Sequence, residues 1–244
     1  MSNRKKNQNS TAFNDYEAFA EAYVTRTNSN AYNAYYERPA MFSILPNVES
    51  KRVLDAGCAG GAYTEWLVNH NASVVAIDLS PKMVQLTQQR LGNRAQVYQA
   101  DLSQPLSFLS DDSFDIVVSS LTLHYIKDWD GVLKEFHRLL STSGLLFFST
   151  HHPLMGFQVG KDDYFATELV EEEWTGFGDS PVRVRFYRKP LSAIASSLAN
   201  TGFVIEQIIE PRPVEECKRL DPESYQKLSI TPWFLIIQAR AKQI

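Results

Sequence analysis

Cysteine is nearly absent from this chain. The two present in 244 residues, Cys58 and Cys217, are too few for a disulfide framework and sit in no C-x-x-C or Cys/His ligand spacing. No metal site is expected, and Cys58 reads as a packing thiol rather than a nucleophile. An excess of positive charge is also missing: 24 Lys and Arg stand against 28 Asp and Glu, a formal net charge of −4. That balance argues against nucleic acid or an anionic membrane as a partner. No apolar run approaches the ~20 residues needed to cross a bilayer, and the basic start of the chain is followed by no apolar stretch of signal-peptide type. A cytoplasmic protein, monomer or homodimer, is the expectation. Finally, the glycine bend at 57–61 lacks the dinucleotide fingerprint G-x-G-x-x-G, because Ala59 and Ala62 occupy two of its glycine positions.

What is present is organised around residues 53–67, VLDAGCAGGAYTEWL, which read as strand, tight loop and helix. Glycine lets such a bend turn sharply and bring N–H groups close to a ligand, beside the unpaired donors of the next helix. Three apolar runs end in acids: Asp55 in the first, Asp78 in SVVAIDLS and Asp101 in AQVYQADLS. Carboxylates would repel a pyrophosphate. S-adenosylmethionine, with an ammonium, a sulfonium, a ribose diol and an adenine amino group but no phosphate, suits them.

The ordered segments VLDAGCAGG, VVAIDLS, YQADL, FDIVVSSLTLHYI and RLLSTSGLLFFST resemble the motifs of the class I S-adenosylmethionine-dependent methyltransferases, particularly the small-molecule enzymes, over about residues 40–150. Ala59 departs from the pattern where the family usually has glycine. The resemblance implies a Rossmann-like α/β fold: a seven-stranded, mostly parallel sheet with helices on both faces, its last strand antiparallel beside the fifth. It implies transfer of a methyl group to a small-molecule acceptor by in-line displacement. With that cofactor, Asp78 is expected to take the ribose hydroxyls and Asp101 the adenine amino group, with Leu79, Met83 and Leu102 around the ring. Asp55, Gly57, Cys58, Ala59, Gly61 and Ser119 are expected along the loop and the amino-acid end. The alternatives from other classes are a nicotinamide-dependent Rossmann oxidoreductase and a non-catalytic S-adenosylmethionine-binding protein.

The rest of the chain divides around this core. Residues 1–11 are polar and read as a disordered tail, and 12–244 as one domain. Within it, 12–45 is rich in Ala, Tyr and Phe: Phe13, Tyr16, Phe19, Ala20 and Tyr23 have helical spacing, and a second helix holds Tyr32, Tyr35, Tyr36 and Met41. This segment is either a docked helical pair or a lid, with Tyr23 over the cofactor and Tyr35 and Tyr36 toward substrate. Ser80-Pro81 marks a helix start and Gly92 its end. Gly144 is expected to open the fifth strand. Methyl transfer needs a general base only if the acceptor arrives protonated, and His124, His151 and His152 follow strands at the ligand edge as candidates. Residues 154–189 break the alternation and read as a cap insertion, in which Phe157, Tyr164, Trp174, Phe177 and Tyr187 are offered for substrate and Arg183, Arg185 or Arg188 for an anion. A solvated hairpin is the competing reading of that stretch.

Overall fold

The computed structural model describes residues 16–159, 161–176 and 181–242. The polar tail, Phe13 and Phe177 lie outside the described residues. A 3-10 turn (Tyr16–Phe19) leads into α1 (Ala20–Thr27), and a π-helical turn (Asn33–Glu37) into α2 (Arg38–Ile44). Strand and helix then alternate through β1 (Arg52–Ala56), α3 (Ala62–Asn69), β2 (Ser73–Asp78), α4 (Pro81–Leu91), β3 (Gln96–Gln99), β4 (Phe114–Ser119), α5 (Trp129–Leu139) and β5 (Leu140–His151). A hairpin of β6 (Glu168–Trp174) and β7 (Val182–Arg188) follows. The chain closes with α6 (Leu191–Asn200), β8 (Phe203–Ile209), α7 (Glu215–Leu220), α8 (Pro222–Ile230) and β9 (Phe234–Ala241).

Seven strands form one sheet in the order β3-β2-β1-β4-β5-β9-β8. Only β9 runs against its neighbours, antiparallel to both β5 and β8, as the family resemblance implies. Helical crossovers cover both faces, so the central strands are apolar on alternate residues in both directions. Leu54, Val117 and Phe148 join the core under α5 and α6. Their chain neighbours Val53, Ile116 and Phe147 join the core under α2 and α3.

Helix boundaries follow the caps. The Ser80 side chain accepts a hydrogen bond from the Met83 N–H and Pro81 opens the helix, while Gly92 follows its last residue. Asp128 caps α5 by accepting from the Gly131 N–H at 3.1 Å. One boundary differs from expectation. Strand β5 begins at Leu140 rather than Gly144, because α5 runs straight into an extended residue that pairs with Phe114 before the register shifts. The polar stretch before β9 is helical, since Asp221 caps α8 in front of Pro222 and Cys217 and Leu228 bury themselves against Ala31, Tyr36 and Phe234. The C-terminal helices thereby pack on the N-terminal ones, above the carboxyl edge of the sheet.

Candidate active site

Three hollows meet at that edge, and Tyr23 and Leu121 line all of them. The first is bounded by the glycine bend, Asp55, Glu37, Arg38 and Ser120. The second is bounded by Asp78, Leu79, Met83, Ala100, Leu102 and Tyr125. Gly57 and Ala59 belong to both, so the two form one elongated trough along the bend. The third is a larger cavity of about 460 Å³ beyond Tyr23, reached by His124, His151, Trp174, Trp233 and Phe234.

The bend is held from below by Asp78. Its Oδ2 accepts from the Ala59 N–H and its Oδ1 from the Ser80 N–H, both at 2.9 Å. Gly57 has φ +89°, and a side chain there would run into Thr122. Ala59 has φ +47°, so the departure from the family pattern costs backbone conformation rather than room. A left-handed alanine costs about 1–2 kcal/mol, part of which glycine's greater chain entropy would offset. Ala59→Gly should therefore raise the melting midpoint by about 2 °C; an unchanged or lower midpoint in differential scanning fluorimetry would contradict this.

The trough is lined with buried acids. Asp55 accepts from Thr64 Oγ1 at 2.5 Å, and burial pushes its pKa up to about 7, with Asp78 adding to the shift. Burial also raises Asp78, against the backbone N–H groups that favour its ionised form. Glu37 is a third, which the sequence reading missed. The π-helical turn widens the helix so that consecutive residues, Tyr36 and Glu37, both point inward. Glu37 accepts from Tyr63 Oη at 2.8 and 2.9 Å, Ser120 Oγ at 2.9 Å and Ser149 Oγ at 2.6 Å, and burial raises its pKa. Tyr23 is driven to about 12, by burial first and by Asp78 and Glu37 next, so its phenol stays protonated. Burial raises the Cys58 thiol well above its ordinary range, which removes it as a nucleophile. Beside these acids, the Nε of Arg38 is buried without a hydrogen-bond partner. Carboxylates this dense, with one guanidinium nitrogen unspent, form a place for a cation that also carries an anionic end.

The expected residues divide accordingly. Asp55, Gly57, Cys58, Ala59, Asp78, Leu79, Met83, Leu102 and Tyr23 line the trough. Gly61 does not: it starts α3 in a left-handed conformation with Thr87 packed against it. Ser119 is spent tying β4 to β1, its Oγ donating to Ala56 O at 2.8 Å, and Ser120 faces the trough instead. Asp101 lies between two lining residues but closes its own turn by accepting from the Ser103 N–H.

Among the substrate candidates, Trp174, His124 and His151 reach the third cavity. Tyr36 is fully buried, its hydroxyl accepting from the Trp233 N–H at 3.1 Å, and Tyr35 packs in the same cluster. Tyr32, one helical turn away, lines the cavity in their place. Tyr187 lies on the face of β7 opposite buried Phe186 and lines none of the three hollows. His152 turns away, with Nε2 3.0 Å from Glu210. The hairpin arginines are paired with acids of their own segment, Arg188 with Asp162 and Glu168, and Arg183 and Arg185 with Glu171. Phe157 and Tyr164 pack on each other.

Comparison with known proteins identifies the family. The family model described as a methyltransferase domain matches residues 54–148. A solved S-adenosylmethionine-dependent methyltransferase of Mesorhizobium loti superposes with a TM-score of 0.70 at 29% identity, covering 88% of this chain and 99% of that one. A Listeria monocytogenes protein described as another superposes at 0.74 with 26% identity, covering 85% and 97%. The chain belongs to the class I S-adenosylmethionine-dependent methyltransferases. Its cofactor is S-adenosylmethionine, and the trough fits one: acids for a sulfonium and ammonium, an unpaired guanidinium nitrogen for a carboxylate, and apolar Leu79, Met83 and Leu102 for a base. The methyltransferase is also 32% identical to a ubiquinone biosynthesis O-methyltransferase of Coxiella burnetii over 108 residues. That match spans 42% of this chain and under half, 44%, of the relative. No helix among the described residues is long and apolar enough to cross a membrane.

Proposed function

We propose that this methyltransferase transfers a methyl group to a small molecule held in the 460 Å³ cavity. The observation that carries this reading is the sharing of Tyr23, Leu121 and Tyr125 between the Asp78 end of the trough and that cavity, which makes them the wall across which transfer takes place. S-adenosylmethionine supplies an already activated methyl on a sulfonium, in line with the acceptor, so the chain's task is to orient and to exclude water. On this reading Asp78 holds the ribose diol while ordering the bend. Arg38 meets the carboxylate of the amino-acid end, and Asp55 and Glu37 offset its positive groups. The hydrogen bond from Arg26 to Gly176 O, at 3.3 Å, joins α1 to the end of the hairpin and supports lid and cap acting together over the acceptor. The test is incubation with S-adenosylmethionine carrying a labelled methyl and a cell extract split by size. Label is expected in the small-molecule fraction, and label confined to protein or nucleic acid would overturn the reading.

The same roles fix a pH dependence. Asp55 has a raised folded pKa of about 7, so the folded protein holds a proton that the unfolded chain releases at lower pH. Its contribution to stability is full below the ordinary carboxylate range and is lost as pH rises through about 7. A cationic ligand favours the ionised form and reverses the preference. The melting midpoint of the ligand-free protein should fall between pH 5 and 8. Affinity for S-adenosylmethionine should rise over the same window, with proton release on binding near pH 7. Calorimetry in two buffers of different ionisation enthalpy reads that proton directly, and uptake instead of release would refute the role of Asp55.

A further inference from the structure

The acceptor cavity carries an unusual set of unsatisfied atoms. Both nitrogens of His124, Nδ1 of His151 and Nε1 of Trp233 are buried without a hydrogen-bond partner, and all three side chains line this one cavity. The large majority of buried side-chain polar atoms in folded proteins have a partner, so a cluster of orphans at one wall points to a place completed by a bound molecule. The rings are rigidly set. His151 stacks on His124 at 3.8 Å and 13°, lies nearly parallel to Phe234 at 5.9 Å, and takes the edge of Phe186 at 4.3 Å. With three rings around it and Nδ1 shut in, Nε2 is the His151 nitrogen left to meet a bound molecule, and it makes no hydrogen bond to the described residues.

Two features define the ligand. The charged groups of the lining cancel in sign, Arg26 and Lys227 against Glu172 and Glu173, and each is engaged. Arg26 donates to Gly176 O, Lys227 lies 4.2 Å over the Trp233 ring, Glu172 accepts from Trp174 Nε1 at 3.3 Å and Glu173 faces Arg183 at 3.6 Å. Burial holds His151 down at about 3 and His124 well below its ordinary range, so neither imidazole adds a charge. An uncharged molecule is therefore favoured. A neutral imidazole presents either a donor or an acceptor at Nε2, according to tautomer. A carboxylate satisfies only the first and an ammonium only the second, whereas a hydroxyl satisfies both. The aromatic side chains of Tyr32, Trp174, Trp233 and Phe234 around it suit a flat ring.

We propose that the acceptor is an uncharged aromatic alcohol whose hydroxyl is positioned by His151 Nε2, against a wall of His124 and Trp233. As the oxygen–methyl bond formed and the sulfonium–methyl bond broke, the hydroxyl proton would pass to Nε2 and from there to solvent, with neutral S-adenosylhomocysteine as the other product. This deepens the reading of the third cavity as the acceptor site and rests on it. The test is titration of the S-adenosylhomocysteine-loaded protein with three probes of one skeleton: 2-naphthol, 2-methylnaphthalene and 2-naphthoate. Binding of 2-naphthol is expected at least ~10-fold tighter than that of 2-methylnaphthalene, with no saturable binding of 2-naphthoate, as one neutral hydrogen bond and an uncharged site require. His151→Phe keeps the ring stack and removes the nitrogens. It should cost 2-naphthol about 10-fold in affinity while leaving 2-methylnaphthalene and S-adenosylhomocysteine unchanged. Failure of 2-naphthol to bind, equal binding of 2-naphthoate, or an unaltered 2-naphthol affinity in H151F overturns the proposal. Loss of S-adenosylhomocysteine binding by the wild-type protein would instead strike the cofactor trough, and label found only in macromolecules would strike the acceptor reading, so the failures are distinguishable.

Discussion

Asp78→Ala should lower affinity for S-adenosylhomocysteine by at least about 100-fold. Two charge-assisted hydrogen bonds to a ribose diol contribute about 1.5–3 kcal/mol each, and 1.4 kcal/mol is a factor of ten. The loss is compounded in the protein itself, because the same carboxylate holds the Ala59 and Ser80 N–H groups at 2.9 Å and so fixes the conformation of the bend. Asp78→Asn separates the two effects. The amide keeps one acceptor oxygen but has no charge and one fewer acceptor, so it should restore part of the loop order and little of the affinity. Calorimetric titration of the three proteins checks this, and an Asp78→Ala affinity within a factor of three of wild type would remove Asp78 from the ribose role.

Glu37→Ala should be the most destabilising substitution at the site. It deletes the acceptor shared by Tyr63, Ser120 and Ser149, so three hydroxyl donors lose their carboxylate in a largely buried place, and Ser149 Oγ keeps only the Leu121 N–H that it accepts from at 3.0 Å. Each stranded donor costs about 1 kcal/mol or more, and removing one member of a buried charged network costs about 3–5 kcal/mol. At about 2–4 °C per kcal/mol for a domain of this size, the melting midpoint should fall by about 10 °C. Glu37→Gln keeps an acceptor oxygen and the shape, and should lose less than half as much. A fall under 3 °C for Glu37→Ala would mean the network relaxes onto water.

The strand ends were legible because each carries a local signature. Asp78 closes an apolar run directly ahead of the cap-proline pair Ser80-Pro81, and the trough residues fall along that edge. Glu37 was not legible. An acid inside YYERP reads as a surface residue at helical spacing, and only the π-helical turn brings it inward beside Tyr36. Asp221 caps α8 ahead of Pro222 much as Ser80 caps α4 ahead of Pro81, but the polar letters around it carry no apolar stripe, since the helix buries little more than Leu228 and, through its neighbour α7, Cys217. His124, His151 and His152 were equivalent in sequence. Side-chain direction alternates along an extended chain, so neighbouring histidines part company, one toward the cavity and one toward Glu210. Which tyrosines face the cavity was likewise set by tertiary packing: Tyr36 fills a core and Tyr32 does not.

A crystal structure with S-adenosylhomocysteine bound tests the central claim most directly. The account requires the ribose diol within hydrogen-bonding distance of both Asp78 oxygens, the base between Leu79, Met83 and Leu102, the carboxylate at Arg38, and the sulfur facing the His151 cavity past Tyr23. A ligand whose ribose lies away from Asp78, or whose sulfur is walled off from that cavity, would contradict it.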